Sequence, residues 1–512
     1  EVPKNDTLFN ANSFDCMTIR YSASWLNSAQ TTIHSDTRTG EILNASILIN
    51  ANMISVQYAD RIGATVAIDP RVRTTVFPQE IQGELIQAAI AQAVGTGLGL
   101  TMNWGASCAY PVDSLRSASF TQKYGLASSV MGGDSINDVA TEEDVRNGVC
   151  LVNAKPGPYD ELVIKYLYQP IYASSLQEEK ETLDSWIREH TGDPYYAYIR
   201  NQSRFDSDPR NSRGSLGDDH LKSFDYMLPN VRKGFENYYS WFAKEDRDFL
   251  MRRRVHSALS ERLSGRIYAI LSYIGGIYLN DIREKDAIPS YSMVDREKQK
   301  AALSKALELA KNLDWVDDTA HLNEFEISDK KADRLRLDIF NGIFGRLPYV
   351  EVCTERFPDA AYTASEYLDD IYGIVWEGVL KHRPLENFER ALQTAFLESI
   401  ISTSTATAPI GSFKASKTGF AATGKPEINL AALRNGGKVD MKMYSLQNAE
   451  EVAGFSSIPP IYTNQTKIAA YYFDLLMRTK DMLKKAISTA PEADRSHYDL
   501  LIYRINKATE IE

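Results

Sequence analysis

Residues 84–102, ELIQAAIAQAVGTGLGLTM, constrain the fold more than any other stretch of this chain. Leu85, Ile86, Ala89, Ile90, Ala93 and Val94 recur at helical spacing, which gives one apolar face that has to be buried. The periodicity ends where Gly95, Gly97 and Gly99 accumulate, so the pattern predicts a helix that stops on glycine. Gln92 and Thr96 stand one turn apart on one face, and a reversal at Gly99 carries Met102 back toward them. Gln92, Thr96 and Met102 are therefore expected to converge.

The flanking segments give this frame its meaning. The chain reads SDTRTGEILNASILI at 35–49, DPRVR at 69–73, AYPVDSLRSASFTQKYG at 109–125 and SSVMGG at 128–133. Further on come YDELVIKYLYQPI at 159–171, DPRNSRGSLGDD at 208–219 and EYLDDIYGIVWEGV at 366–379. In order and spacing these segments resemble the secreted and envelope zinc-dependent metalloproteases of bacteria, metzincins whose matching segments read like DPRTGEI, HEVGHxLGLxHN and SxMDY. In a metzincin, HExxHxxGxxH puts two imidazoles one turn apart, breaks the helix at glycine and returns a third imidazole to the same zinc. Here Gln92-Ala93-Val94-Gly95-Thr96 stands in place of HExxH, followed by Gly99 and Met102. The glycine is kept, while the ligand positions Gln92, Thr96 and Met102 and the base position Ala93 lack the usual groups. Met131 matches the methionine turn, with Gly132 and Gly133 where the family has an acidic and an aromatic residue.

The replacements decide what a zinc ion would meet. Amide and hydroxyl oxygens and a thioether do not match the imidazole, thiolate or carboxylate ligands that hold Zn²⁺. Ala93 offers no proton acceptor with which to activate water. No substitute chemistry stands out elsewhere. His34, His190, His220, His256, His321, His382 and His497 are never three or four residues apart, and there is no GxSxG elbow or Walker-type loop. The glycines at 95–99 close a helix rather than open one, and a nucleophile pair of Cys108 with a distant histidine has no local support.

Bulk composition narrows the partners. The 512 residues carry 43% hydrophobic and 24% charged side chains, which is the balance of a folded protein of two or three domains. A formal charge of −11 argues against a nucleic-acid backbone as partner. The longest apolar run, 267–279, is too short for a bilayer core of roughly 30 Å, so no transmembrane span is expected. Cys16, Cys108, Cys150 and Cys353 form no CxxC or Cys/His cluster and read as free thiols. Asp206, Asp208, Asp218 and Asp219 bracket a Gly/Ser/Arg loop where structural calcium is conceivable, but Arg204, Arg210 and Arg213 compete for them, and Asp218 is expected to cap a helix.

The fold expected is α+β: a metzincin-like mixed sheet with an active-site-type helix, followed by a large α-helical domain. Strands are expected at 14–22 and 41–51, joined through a turn at Thr39-Gly40. In the metzincin picture the second is the antiparallel edge strand along which a peptide lies, with Glu41, Ile42, Leu43 and Asn44 as its binding residues. Helical periodicity runs through 159–171, 176–189, 218–244, 249–278, 296–313, 331–343, 364–382, 387–401, 467–488 and 492–511. The expected units are 1–158, a metzincin-like domain; 159–400, a helical domain; 401–430, a Ser/Thr/Gly-rich loop; and 431–512, a C-terminal helical region.

The resemblance implies a catalytically inactive pseudopeptidase that acts as a binding or scaffolding component of a cell-envelope complex, periplasmic, outer-membrane-associated or extracellular. Zinc is expected to be absent. The competing reading is an active zinc-dependent metallopeptidase that uses non-standard residues. The family also opens its sheet with a strand, a long helix and a second strand ahead of 14–22, for which the polar stretch 1–13 is too short. The strand near 17–21 is therefore expected to pair with an upstream fragment or another envelope protein as a partner chain.

Overall fold

The computed structural model describes residues 13–14, 16–26, 29–76, 78–133, 136–199, 207–212, 214–280, 288–317, 320–321, 331–403 and 465–509. Three strands come first, β1 (Thr18–Ser22), β2 (Ala29–Ser35) and β3 (Ile42–Asn50), then α1 (Met53–Thr65) and α2 (Gln79–Gly97). Short helices α3 (Ala118–Tyr124) and α4 (Glu142–Arg146) sit in a loop-rich segment before α5 (Pro158–Tyr168) and α6 (Leu176–Arg188). The long pair α7 (His220–Phe242) and α8 (Leu250–Leu271) is followed by a small hairpin of β4 (Ile277–Leu279) and β5 (Tyr291–Met293). The remaining described helices are α9 (Arg296–Lys311), α10 (Lys331–Arg356), α11 (Ala364–Val375), α12 (Glu377–Leu380), α13 (Asn387–Thr403), α14 (Gln465–Ala486) and α15 (Glu492–Thr509).

The sheet order is β1-β3-β2. β3 alternates so that Ala45, Ile47 and Ile49 are buried; Ile47 and Ile49 pack on Met53 of α1 and Ala89 and Ala93 of α2. β1 runs parallel to β3, with Thr18 opposite Ser46 and Ser22 opposite Asn50. β2 runs antiparallel on the other side, from Ala29 opposite Ile49 to Ser35 opposite Ile42.

Two expectations need correction. Ile42, Leu43 and Asn44 belong to the central strand, with Glu41 just before it, so they are not the edge; the antiparallel edge strand is β2. AQTTIHS has too little apolar alternation to read as a strand by itself, and its pairing with β3 makes it one. The strand near 17–21 was expected to pair with another polypeptide, yet Thr18–Ser22 pairs with β3 of this same chain. Its opposite edge faces no strand among the described residues.

One apolar core runs from α1 and α2 into the helical region. Tyr58, Ile62, Ile81 and Leu85 share it with Leu259, Phe344, Phe396 and Leu501, so the expected division at 158/159 does not fall at a break in the core. α1 and α8 approach closely at Gly63, where a Cβ would stand 2.5 Å from the Ala258 carbonyl oxygen. The expected loop at 401–430 lies outside the described residues beyond Thr403, as does 431–464. No helix is long and apolar enough to cross a membrane among the described residues.

Candidate functional site

α2 ends as the glycine pattern requires. Gly99 has φ of +90°, its N–H donates to Thr96 O at 2.9 Å, and the Leu100 N–H donates to Gly95 O at 3.0 Å. This is a Schellman reversal, in which the left-handed residue lets the last helical carbonyls find partners. The reversal returns Met102 to the helix, where Gln92 Nε2 donates to its Sδ at 3.4 Å. Thr96 turns its hydroxyl onto its own helix and donates to Gln92 O at 3.1 Å. Gln92 and Met102 therefore meet, while the hydroxyl of Thr96 is spent on the backbone. Ala93 is buried in the cluster with Ile47 and Ile49, and its carbonyl accepts a hydrogen bond from Thr31 Oγ1 of β2 at 3.2 Å. Edge strand and helix are thereby tied together beside the site.

Met131 lies directly under the helix. A Cβ on Gly95 would come within 2.9 Å of its Sδ, so any larger residue there would have to push the thioether aside. The turn is fixed from α5: Asp160 accepts from Ser129 Oγ at 2.5 Å, Val130 N at 2.8 Å and Gly157 N at 2.9 Å. Burial pushes the Asp160 carboxyl above its usual range despite these donors. Beyond the turn, a Cβ on Gly133 would stand 2.1 Å from Trp104 Cε3, so the indole fills the space a side chain at 133 would need.

Asn103 is the residue that sequence reasoning missed. It is fully buried; its N–H donates to Met131 O at 3.0 Å, its Nδ2 to Ala197 O at 2.9 Å, and its Oδ1 accepts from Ile199 N at 3.1 Å. One amide thus clamps the return loop to the methionine turn and to the segment after α6. The signal was present, since Asn103 stands where the resembled pattern HEVGHxLGLxHN has its final asparagine. Roofing the reversal, the Tyr168 hydroxyl of α5 donates to Leu98 O at 2.9 Å.

A family model described as Met-zincin matches residues 74–383, from just before α2 to just past α12. The chain belongs to the Met-zincin family. No curated protein and no solved structure matches significantly. The zinc ion that a Met-zincin implies does not fit the residues of this one. Its two convergent groups are a neutral amide and a thioether bonded to each other, and neither is a group that holds Zn²⁺. Among the described residues no three His, Cys, Asp or Glu side chains are grouped as a metal site.

Other candidate groups in this Met-zincin have structural partners. Asp208 is bound by Arg210, Asp218 accepts from Val112 N at 3.1 Å, and Asp219 rather than Asp218 caps α7 by accepting from Leu221 N and Lys222 N. These contacts occupy the carboxylates proposed for calcium, and Asp206 lies outside the described residues. Burial pushes the Cys108 thiol up to about 12, which leaves it protonated and a poor nucleophile. Cys16, Cys108, Cys150 and Cys353 are all free.

His220 is buried against Tyr273, with Nε2 2.9 Å from Pro209 O, and burial pushes its pKa down to about 4. His497, beside Gln393 Oε1 at 3.0 Å, is likewise pushed down to about 4 by burial. Both folded values lie below the unfolded value of about 6.5, so on acidification the unfolded chain takes up protons first. Stability is expected to be full above about pH 6.5 and to fall between pH 6.5 and 4, by up to about 1.4 kcal/mol per pH unit for buried His220. Urea midpoints at pH 7.5, 6 and 5 check this. His497→Gln should flatten the decline, and an unchanged midpoint across the window would contradict it.

Proposed function

We propose that this Met-zincin keeps the metalloprotease fold as a binding module and does not hydrolyse peptides. The observation that carries the reading is the direct Gln92–Met102 contact at the positions matching zinc ligands, with an alanine buried at the base position. Among the described residues no strand pairs with the outer edge of β2, which runs beside α2 and can pair with an extended peptide through its backbone. Nor does any described strand pair with the outer side of β1, where Ile19 and Tyr21 are exposed, and another envelope protein is the partner this reading assigns to it. In this reading the sheet with α2 is the binding face, and the helices that share an apolar core with α1 and α2 support it. Resemblance to secreted bacterial enzymes supports an envelope or extracellular setting, and the charge of −11 disfavours nucleic acid.

Metal analysis and a restoration variant test the reading. The purified protein should hold no stoichiometric zinc, and the quadruple variant Gln92→His, Ala93→Glu, Thr96→His and Met102→His should show no robust peptide cleavage. A glutamate at 93 would lie against Ile47 and Ile49, and Gly132 and Gly133 supply no polar side chain to orient a ligand. Stoichiometric zinc with hydrolysis by the unaltered protein would overturn the proposal; cleavage by the quadruple variant alone would mean that only the ligands and base had been lost.

A further inference from the structure

A cavity of about 330 Å³ lies where the turn after α12 meets the turn between α14 and α15. Clefts that hold small molecules begin at about this size and are mostly apolar, with a few placed polar groups. Val379, Ala486, Ala490 and Pro491 supply the apolar lining, and the two alanines leave space that larger side chains would fill. The turn after α12 is fixed on both sides. His382 takes φ of +53°, uncommon for a residue with a Cβ, and the reversal lets the Arg383 N–H donate to Gly378 O at 3.1 Å. The buried Asp494 carboxylate ties α15 to that turn, accepting from Leu385 N at 3.1 Å and from an Arg390 nitrogen at 2.6 Å. Arg383 is held in a fork by Glu389, with both contacts at 2.7 Å.

The polar groups left over are donors. Tyr498 lines the cavity and is 2% exposed, yet its hydroxyl has no hydrogen-bond partner among the described residues. Polar groups this buried are ordinarily bonded, so an unmade bond at a cavity wall marks a place for a ligand atom. Arg495 donates Nε to the carbonyl of the lining residue Ala490 at 2.8 Å and makes no ion pair among the described residues. Asp494 and Glu389, the buried carboxylates nearby, are spent on Arg390 and Arg383. We propose that this cavity binds a small carboxylic acid with an aliphatic or aromatic body. Its carboxylate accepts from the Tyr498 hydroxyl beside the Arg495 guanidinium, and its body lies against Val379, Ala486 and Ala490. Exposed Glu492, next to Pro491, is the opposing charge. None of these residues belongs to the sheet or to α2, so the site stands or falls separately from the peptide-binding face.

The probes are 4-phenylbutyrate and octanoate, each beside its primary amide, with binding to the whole chain read by ligand-observed NMR titration. Both acids should bind saturably, and the amides about tenfold more weakly, because hydrogen bonds to a charged group are the stronger kind. Tyr498→Phe keeps the ring in the core and should weaken acid binding by about tenfold. Ala490→Leu fills the cavity and should abolish binding in a variant that still melts cooperatively; should it unfold, Tyr498→Phe decides alone. Glu492→Gln should tighten acid binding by about twofold. Failure of both acids to bind, or acid binding untouched by Tyr498→Phe, overturns the site. Amides that bind as tightly as the acids overturn the carboxylate.

Discussion

Asp138→Ala is expected to cost about 3–5 kcal/mol of stability, more than any other single substitution considered for this protein. Asp138 is fully buried and receives Arg262 Nε at 2.6 Å and Arg266 Nε at 2.9 Å, with a second Arg266 nitrogen on its other oxygen. Burial alone would raise its carboxyl, but the two guanidiniums outweigh that and hold it below the usual carboxylate range. Removing the carboxylate takes away the counter-charge that Arg262 and Arg266, both largely buried, share. The pair also joins distant parts of the chain, since Arg262 and Arg266 lie on α8 while Asp138 follows the methionine turn. Loss should appear as a lower urea midpoint and as faster proteolysis of the segment around 136–152. Asp138→Asn, which keeps the shape and part of the bonding, should fall between. A midpoint for Asp138→Ala within experimental error of the parent would show that the arginines find other partners.

Gly63→Ala should destabilise the chain by about 1–3 kcal/mol, and Gly63→Leu by more. The added Cβ would meet the Ala258 carbonyl oxygen at 2.5 Å and its carbon at 2.9 Å, so backbone rather than a flexible side chain has to move. Ala258→Gly should fail to rescue it fully, because it relieves only the 3.3 Å contact with the Ala258 Cβ and leaves the closer ones with its backbone. Gly83→Ala in α2 supplies the contrast. A Cβ there meets nothing within 4 Å, so helix propensity alone acts and stability should rise by up to about 1 kcal/mol. Thermal melts of the two alanine variants should shift in opposite directions. A shift of the same sign would mean that the α1–α8 seam yields more easily than its spacing implies.

Local pattern determined the organising helix, its stop and its reversal. The apolar spacing through Leu85, Ala89 and Ala93 and the glycines at 95, 97 and 99 act within one or two turns, so α2 and the left-handed Gly99 were legible without tertiary context. The same holds for α5, α6, α7 and α9, whereas the helix expected at 249–278 stops at Leu271 and Ile277–Leu279 pairs as β4. The convergence of Gln92 with Met102 followed from that reversal. Thr96 departed from it because its hydroxyl had a carbonyl one turn back within reach.

Tertiary structure alone decided which strand forms the edge. Strand order depends on pairing between residues far apart in sequence, and nothing local in AQTTIHS or ILNASILIN says which of them lies in the middle. α1 also escaped notice: MISVQYADRIGAT is weakly patterned by itself and is stabilised as a helix by packing along α8 through Gly63. Nor could the sequence divide the core into domains, because Tyr58 and Ile62 of α1 share apolar neighbours with helices hundreds of residues later. The role of Asn103 has the same cause. Its three hydrogen-bond partners lie at 131, 197 and 199, and only the folded chain brings them to one side chain.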